Sequence, residues 1–199
     1  MDMNLDAILY AQSGEPAAFS ALVETYQNHV YHLCYRMLGN IHDAEDAAQE
    51  TFLRVFRKLN RYNPAYSFEG WLLAIACHYC IDLLRKKRAT WLELMEDVQY
   101  PDFQNEAASP EELTIRRERN KRVQALLSRL APRERAVIIL YYWYDYPLHE
   151  IAQMNGETVQ AVKSRLHRAR KTMAGMVARS QPELKIAAVP GSVVGDLPS

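Results

Sequence analysis

Apolar residues return every third or fourth position along most of the chain, the period of helices that bury one face, so the expected fold class is all-α. Phe19, Leu22, Val23, Tyr26, Val30, Leu33, Cys34 and Met37 form one sustained stripe, opened by Pro16 at the first helical position and stopped at Gly39-Asn40. A weaker, shorter helix is expected over residues 5–11. Over 42–59 the pattern has two faces: Ala48, Phe52, Val55, Phe56 and Leu59 read as a core stripe, while Asp46, Gln49, Glu50 and Leu53 fall together elsewhere on the helix. That second face mixes carboxylates with an exposed leucine. It is either a solvated acidic surface or a docking surface for a basic partner helix, and Asp43 and Asp46 also suit a helix N-terminus.

Residues 60–70, NRYNPAYSFEG, break the period with Asn63-Pro64 and concentrate aromatics at Tyr62, Tyr66 and Phe68. Such rings are either stacking platforms for unpaired bases or loop anchors packed on the core. Ser67 is a plausible N-cap for a helix running to about residue 88, with Leu72, Ile75, Ala76, Tyr79 and Leu83 on its core stripe. This helix ends in Arg85, Lys86, Lys87 and Arg88, more cations than a helix C-terminus needs, which points to phosphate contacts. Cys77 and Cys80 frame His78, but Leu73, Cys77, Cys80 and Leu84 share an apolar stripe, and a lone CxxC inside a helix lacks a second pair of ligands. The spacing favours structural thiols.

Residues 91–112 lose helical period, carry acids without bases and contain Pro101 and Pro110, the signature of an acidic linker. A second helical domain follows, with Val123, Leu126, Leu127 and Leu130 on one helix and Pro132 opening another. The stretch 136–143 is apolar almost all round and should be the buried hub of that domain. Residues 145–171 then read as a helix-turn-helix. Pro147 opens its first helix, Asn155-Gly156 supplies the left-handed stop, and Thr158 caps the second. In that second helix Val162, Leu166, Ala169 and Met173 form an apolar stripe, leaving Lys163, Ser164, His167, Arg168 and Lys171 on another face with the chemistry to meet phosphates and base edges. The expected limits are 1–90 and 113–179 for the two domains, 91–112 for the linker and 180–199 for an aperiodic tail.

The chain has 199 residues, 49% of them hydrophobic, and a formal net charge of zero, so any contact with nucleic acid must come from locally segregated charge. No apolar run is long enough to span a bilayer, the acidic start lacks the basic segment of a signal peptide, and three cysteines fit a reducing compartment, so a cytosolic location is expected. No nucleophile motif, paired acids or Gly-rich phosphate loop suggests an enzyme. No cofactor or metal is called for.

Three stretches, in order, resemble the extracytoplasmic-function (ECF) group of bacterial sigma factors in the sigma-70 family. DAEDAAQETFLRVFRKL at 43–59 is similar to region 2.2, GWLLAIACHYCIDLLRKKR at 70–88 to regions 2.3 and 2.4, and RLAPRERAVIILYYWYDYPLHEIAQMNGETVQAVKSRLHRAR at 129–170 to region 4. The resemblance covers roughly residues 19–177. It implies a subunit that binds core RNA polymerase and directs it to promoter DNA, with an anti-sigma factor as a further partner. By motif position Asp46, Gln49, Glu50 and Leu53 would meet the core enzyme. Tyr62, Tyr66 and Phe68 would capture an unstacked minus-10 base, Trp71 and His78 would lie along that strand, and Arg85, Lys86, Lys87 and Arg88 would hold phosphates. Thr158, Gln160, Lys163, Ser164, His167, Arg168 and Lys171 would serve the minus-35 element, and the acidic linker would thread the polymerase.

Two positions depart from the family's usual pattern: Cys77-His78 stands where it commonly reads Arg-Asn, and Gln160-Ala161 brings an amide able to read adenine in place of a hydroxyl. Two other classes stay open on the residues alone. One is a helix-turn-helix regulator that binds DNA by itself, with 19–88 as a sensory or dimerising domain. The other is a metal or redox sensor using Cys34, Cys77, Cys80 and His78.

Overall fold

The computed structural model describes the backbone of residues 3–90 and 110–180 and the side chains of 6–87 and 118–178. Of the expected linker, residues 91–109 lie outside the described residues, as do the tail beyond Ser180 and the side chain of Arg88, while residues 110–112 belong to the first helix of the second domain. Helices α1 (Met3–Gln12), α2 (Pro16–Leu38), α3 (Ile41–Lys58) and α4 (Phe68–Thr90), with a 3-10 turn at Leu59–Arg61, make up the first domain. Helices α5 (Pro110–Ser128), α6 (Pro132–Trp143), α7 (Leu148–Asn155) and α8 (Val159–Ser180) make up the second. No strand occurs among the described residues.

Local chemistry sets the ends of these helices. Pro16 and Pro132 occupy first-turn positions, where the missing N–H leaves nothing unpaired. Gly39 ends α2 in the left-handed conformation at φ 78°, and Asn40 starts α3 at once, its side-chain oxygen accepting from the Asp43 N–H at 3.1 Å. Ser67 caps α4 through the Gly70 N–H at 3.3 Å.

The core stripe of α3 is Ala44, Ala47, Thr51 and Val55, with Ala48 and Phe52 only half-buried. Small side chains line this face, and Thr51 stays satisfied by donating to the Ala47 carbonyl at 2.7 Å. Phe56, expected in the core, is 58% exposed and meets Phe19 edge-on at 5.0 Å between ring centres. It therefore joins Leu53 on the outer face.

Helix α4 buries Leu72, Leu73, Ala76, Cys77, Cys80 and Ile81, while Ile75, Tyr79, Leu83 and Leu84 of its expected stripes are half-buried. Helices α2 and α3 pack against it, and so do α6 and α7 of the second domain. A helix with neighbours around most of its circumference needs no broad polar face. Cys34, Cys77 and Cys80 are free and buried, Cys80 shares a thiol hydrogen bond with Cys34, and burial pushes the Cys77 thiol up. Such thiols act as packing groups. Among the described residues no group of His, Cys, Asp and Glu could hold a metal ion.

Residues 135–140 of α6 are buried without interruption, because α6 lies between α8 and the α2–α4 pair. It is the hub of the second domain, and it also joins that domain to the first: one hydrophobic core runs from Ile8 to Ala169. Each fully buried Leu, Ile or Met, such as Leu33, Met37, Leu73, Leu127 and Ile139, contributes roughly 1.5–3 kcal/mol relative to an exposed one.

Polar groups cross the same boundary. Gln124 donates to the Tyr35 and Arg36 carbonyls, each at 3.2 Å, and Arg135 donates to the Met37 carbonyl and, at 2.6 Å, to that of Ser128. The Arg36 and Met37 carbonyls belong to the open end of α2, where a cation is also favoured by the helix dipole; that of Tyr35 also accepts the Gly39 N–H, and that of Ser128 lies at the end of α5. Burial lowers the Arg135 pKa to about 10, so it remains charged at neutral pH. Gly39 makes the approach possible, since a Cβ there would stand 3.0 Å from the Gln124 amide nitrogen.

Candidate nucleic-acid interface

The helix-turn-helix is built around Glu157. Its carboxylate accepts from Arg165 at 2.8 and 3.0 Å and from Arg133 at 3.0 Å, tying the turn to both α8 and α6. Pro147 is the N-cap of α7, one position before the expected N1; Gly156 ends α7 at φ 64°, and Thr158 caps α8 by accepting from the Ala161 N–H at 3.2 Å. Val162, Leu166 and Ala169 are buried and Met173 partly so. The stripe turns Lys163, His167, Arg168 and Lys171 outward together, with Gln160 and Thr158 exposed at the helix start and Ser164 half-buried. Within this set Arg168 is ion-paired, to Glu134 at 3.0 Å. The face is basic, stiffly mounted and shaped like a groove-reading helix.

Residues 62–67 form a second candidate site. Tyr62 and Phe68 are buried at 6% and 5% exposure, and with Trp71 they make a cluster of rings 5.3 to 5.9 Å apart. These two side chains are loop anchors. Tyr66 is 54% exposed, and its carbonyl accepts from the Tyr62 hydroxyl at 2.6 Å. The turn itself is set by Asn63, which accepts from the Ala65 N–H at 3.0 Å and the Tyr66 N–H at 3.1 Å. Of the three aromatics expected to face a base, this arrangement offers Tyr66.

His78 sits farther along α4, on the rim of a cleft shared with the second domain and lined by Asp82, Arg85, Arg133, Asn155 and Glu157. Burial holds its imidazole pKa below the usual value. Arg85 and Lys86 are exposed, whereas Lys87 is bound to Asp43 at 2.5 Å. The Asp43–Lys87 pair stitches the start of α3 to the basic end of α4.

On the far side of α3 Asp46 and Gln49 are exposed and Leu53 is 52% exposed. Glu50 accepts from Arg54 at 2.8 Å, and Arg54 lies over the Tyr79 ring at 4.3 Å. Sequence reasoning missed Phe56 on this face, because its spacing also matched the core stripe. It also missed Gln12, Gln124, Arg135 and Tyr144. For Arg135 a signal was present, since it shares a helix face with Ile138 and Ile139.

The family model for sigma-70 region 2 matches residues 22–90, and that for sigma-70 region 4 matches residues 120–173. The chain is 33% identical over 172 residues to the ECF RNA polymerase sigma factor SigW of Bacillus subtilis, covering 83% of this chain and 92% of that one. It is also 33% identical over 178 residues to SigE of Mycolicibacterium smegmatis, another ECF RNA polymerase sigma factor, covering 88% and 68%. Among solved structures, CnrH in complex with the cytosolic domain of CnrY is similar at a TM-score of 0.65 and 25% identity, over 89% of this chain and 99% of that one. The sigma factor RpoE of Bartonella quintana, in complex with the anti-sigma factor NepR, shares the fold at a TM-score of 0.63 and 17% identity, over 80% and 96%. Among the described residues no helix is long and apolar enough to cross a membrane.

Proposed function

The chain belongs to the ECF group of the sigma-70 family of RNA polymerase sigma factors, and we propose that it reads the minus-35 element with α8, captures a minus-10 base at Tyr66 and docks on core polymerase through the outer face of α3. The observation that carries this reading is the separation of three exposed surfaces in one fold: a basic helix face, a rigid aromatic loop and an acidic face bearing Leu53 and Phe56. Lys163, His167, Arg168 and Lys171 supply groove and phosphate contacts, and Arg85 and Lys86 hold the backbone beside the minus-10 strand. Asp46, Gln49 and Leu53 meet the polymerase, with Phe56 added to them. The chain acts in the cytoplasm, beside the polymerase, and an anti-sigma factor keeps it silent.

This function requires the two domains to part. Elements centred near positions minus-35 and minus-10 lie roughly 85 Å apart along B-DNA at ~3.4 Å per base pair. A compact chain of this length is only roughly 40 Å across. Both elements cannot be read from one globule, so the packed form is the resting form. In it Tyr146 of the second domain lies against Gly70 and hydrogen-bonds Ser67, at the end of the capture loop.

Run-off transcription over genomic promoter fragments, with bacterial core polymerase present or absent, tests the assignment. Specific transcripts that need both components are expected, their start sites revealing the two elements. Tight binding to duplex DNA by the chain alone, with indifference to the core enzyme, would replace it by an ordinary helix-turn-helix regulator.

A further inference from the structure

Helix α1 precedes residue 22, where the region 2 match begins, yet it is fixed firmly to the capture loop. Ile8 and Ala11 are buried, and the end of α1 is closed by Ser13 N–H to the Leu9 carbonyl at 3.0 Å, Gly14 N–H to Ala11 at 3.1 Å and Glu15 N–H to Tyr10 at 3.1 Å. This closure holds Gln12 in place. Its Nε2 donates to the Leu59 carbonyl at 2.8 Å and to the Tyr62 carbonyl at 3.2 Å, the two ends of the 3-10 turn that feeds the loop. Both partners are acceptors, so the amide can face them only with its nitrogen.

From Gln12 the constraint passes through Tyr62 to the backbone of Tyr66. Fixing the Tyr62 backbone sets the position of its phenol among Phe68 and Trp71, and that phenol holds the Tyr66 carbonyl. A stacking residue loses affinity when its loop must be ordered at the moment of binding, so rigidity delivered from behind strengthens capture. We infer that Gln12 is a positioning residue for minus-10 recognition, acting through Tyr62 to hold Tyr66 where an unpaired base can stack on it. The inference rests on the proposed function, and it assigns Tyr62 and Phe68 to the support of Tyr66.

The test compares the full-length protein with its Gln12→Met and Gln12→Lys variants, each assembled with core polymerase. The probe is fork-junction DNA with a single-stranded minus-10 segment from a promoter that the wild-type holoenzyme transcribes. Methionine keeps the length and removes the donor; lysine keeps a donor. Gln12→Met should weaken capture of the single strand roughly five-fold, the worth of about one hydrogen bond, with core affinity and binding of minus-35 duplex unchanged. Gln12→Lys should recover most of the loss, and Gln12→Met should add nothing in a Tyr66→Ala background. Unchanged capture by Gln12→Met overturns the inference. So does a loss shared with core affinity, or a Gln12→Lys variant as poor as Gln12→Met. A wild-type protein that forms no open complex with core brings down the functional reading itself and the inference with it.

Discussion

Tyr144, just past the end of α6, donates its hydroxyl to the carbonyl oxygen of His29 in α2 at 2.6 Å, a contact between residues 115 apart in the chain. With Gln124 and Arg135 it fastens the second domain to the first through specific hydrogen bonds. Burial drives the Tyr144 phenol pKa up, so the hydroxyl keeps its proton at neutral pH and remains a donor.

The two domains should therefore unfold together. Arg135→Met leaves the carbonyls of Met37 and Ser128 without their donor and should cost about 1–3 kcal/mol. Tyr144→Phe should cost about 0.5–1.5 kcal/mol. Calorimetry is expected to give one transition for the wild type and two for the double variant. Two transitions in the wild type would mean that the shared core does not couple the domains.

Core polymerase should pull the domains apart. Gln27 in α2 and Ala174 in α8 are exposed, while all three native cysteines are buried, so thiol dyes placed at these two positions will label selectively. Energy transfer between them should be high in the free protein and fall when core enzyme is added. Transfer that is unaltered in an active holoenzyme would contradict the resting-form assignment.

Leu53 and Asp46 point away from the core, so Leu53→Ala with Asp46→Lys should change stability by no more than about 0.5 kcal/mol. Binding to core polymerase should be abolished. Glu50 is the poorer choice, since its carboxylate already holds Arg54. Retained affinity for core would move the docking surface elsewhere.

On the proposed reading, Arg168 exchanges Glu134 for DNA. Arg168→Ala should weaken minus-35 binding by ~1–3 kcal/mol at one base position if it reads an edge, and uniformly across sequences if it meets phosphate. Lys163→Ala should lower the salt dependence of binding by about one unit of slope. Titrations of promoter variants at several salt concentrations separate these outcomes.

Acid should destabilise the protein through two histidines. Burial lowers the pKa of His32, helped by Arg36, and burial likewise lowers that of His78, despite Asp82 nearby. A depressed histidine pKa means that the unfolded chain takes up the proton first. Stability should be level above about pH 7, then fall as pH drops through about 6.5, flattening only below the depressed folded values. Urea unfolding at several pH values will show the slope, and His78→Gln should reduce it.

The sequence by itself determined the helical pattern, most of its caps and the order of the family's stretches, because those depend on neighbours three or four residues away. Pro16, Gly39, Ser67, Gly156 and Thr158 act within one turn of themselves, and the Val162–Leu166–Ala169 stripe places the basic face of α8 without reference to anything distant. Tertiary structure decided what a period cannot express. Phe56 and Val55 both fit an apolar stripe of α3, and only the packed α2 and α4 select Val55 for the interior. Tyr62 and Tyr66 are the same residue type in one loop, yet the cluster with Phe68 and Trp71 makes one an anchor and leaves the other exposed. Gln12, Gln124 and Arg135 look like surface residues in the chain and become donors only where folding brings main-chain carbonyls to them from 47 to 98 residues away. Hydrogen-bond partners at such separations leave no mark on local spacing, which is why the joining of the two domains belongs to the fold alone.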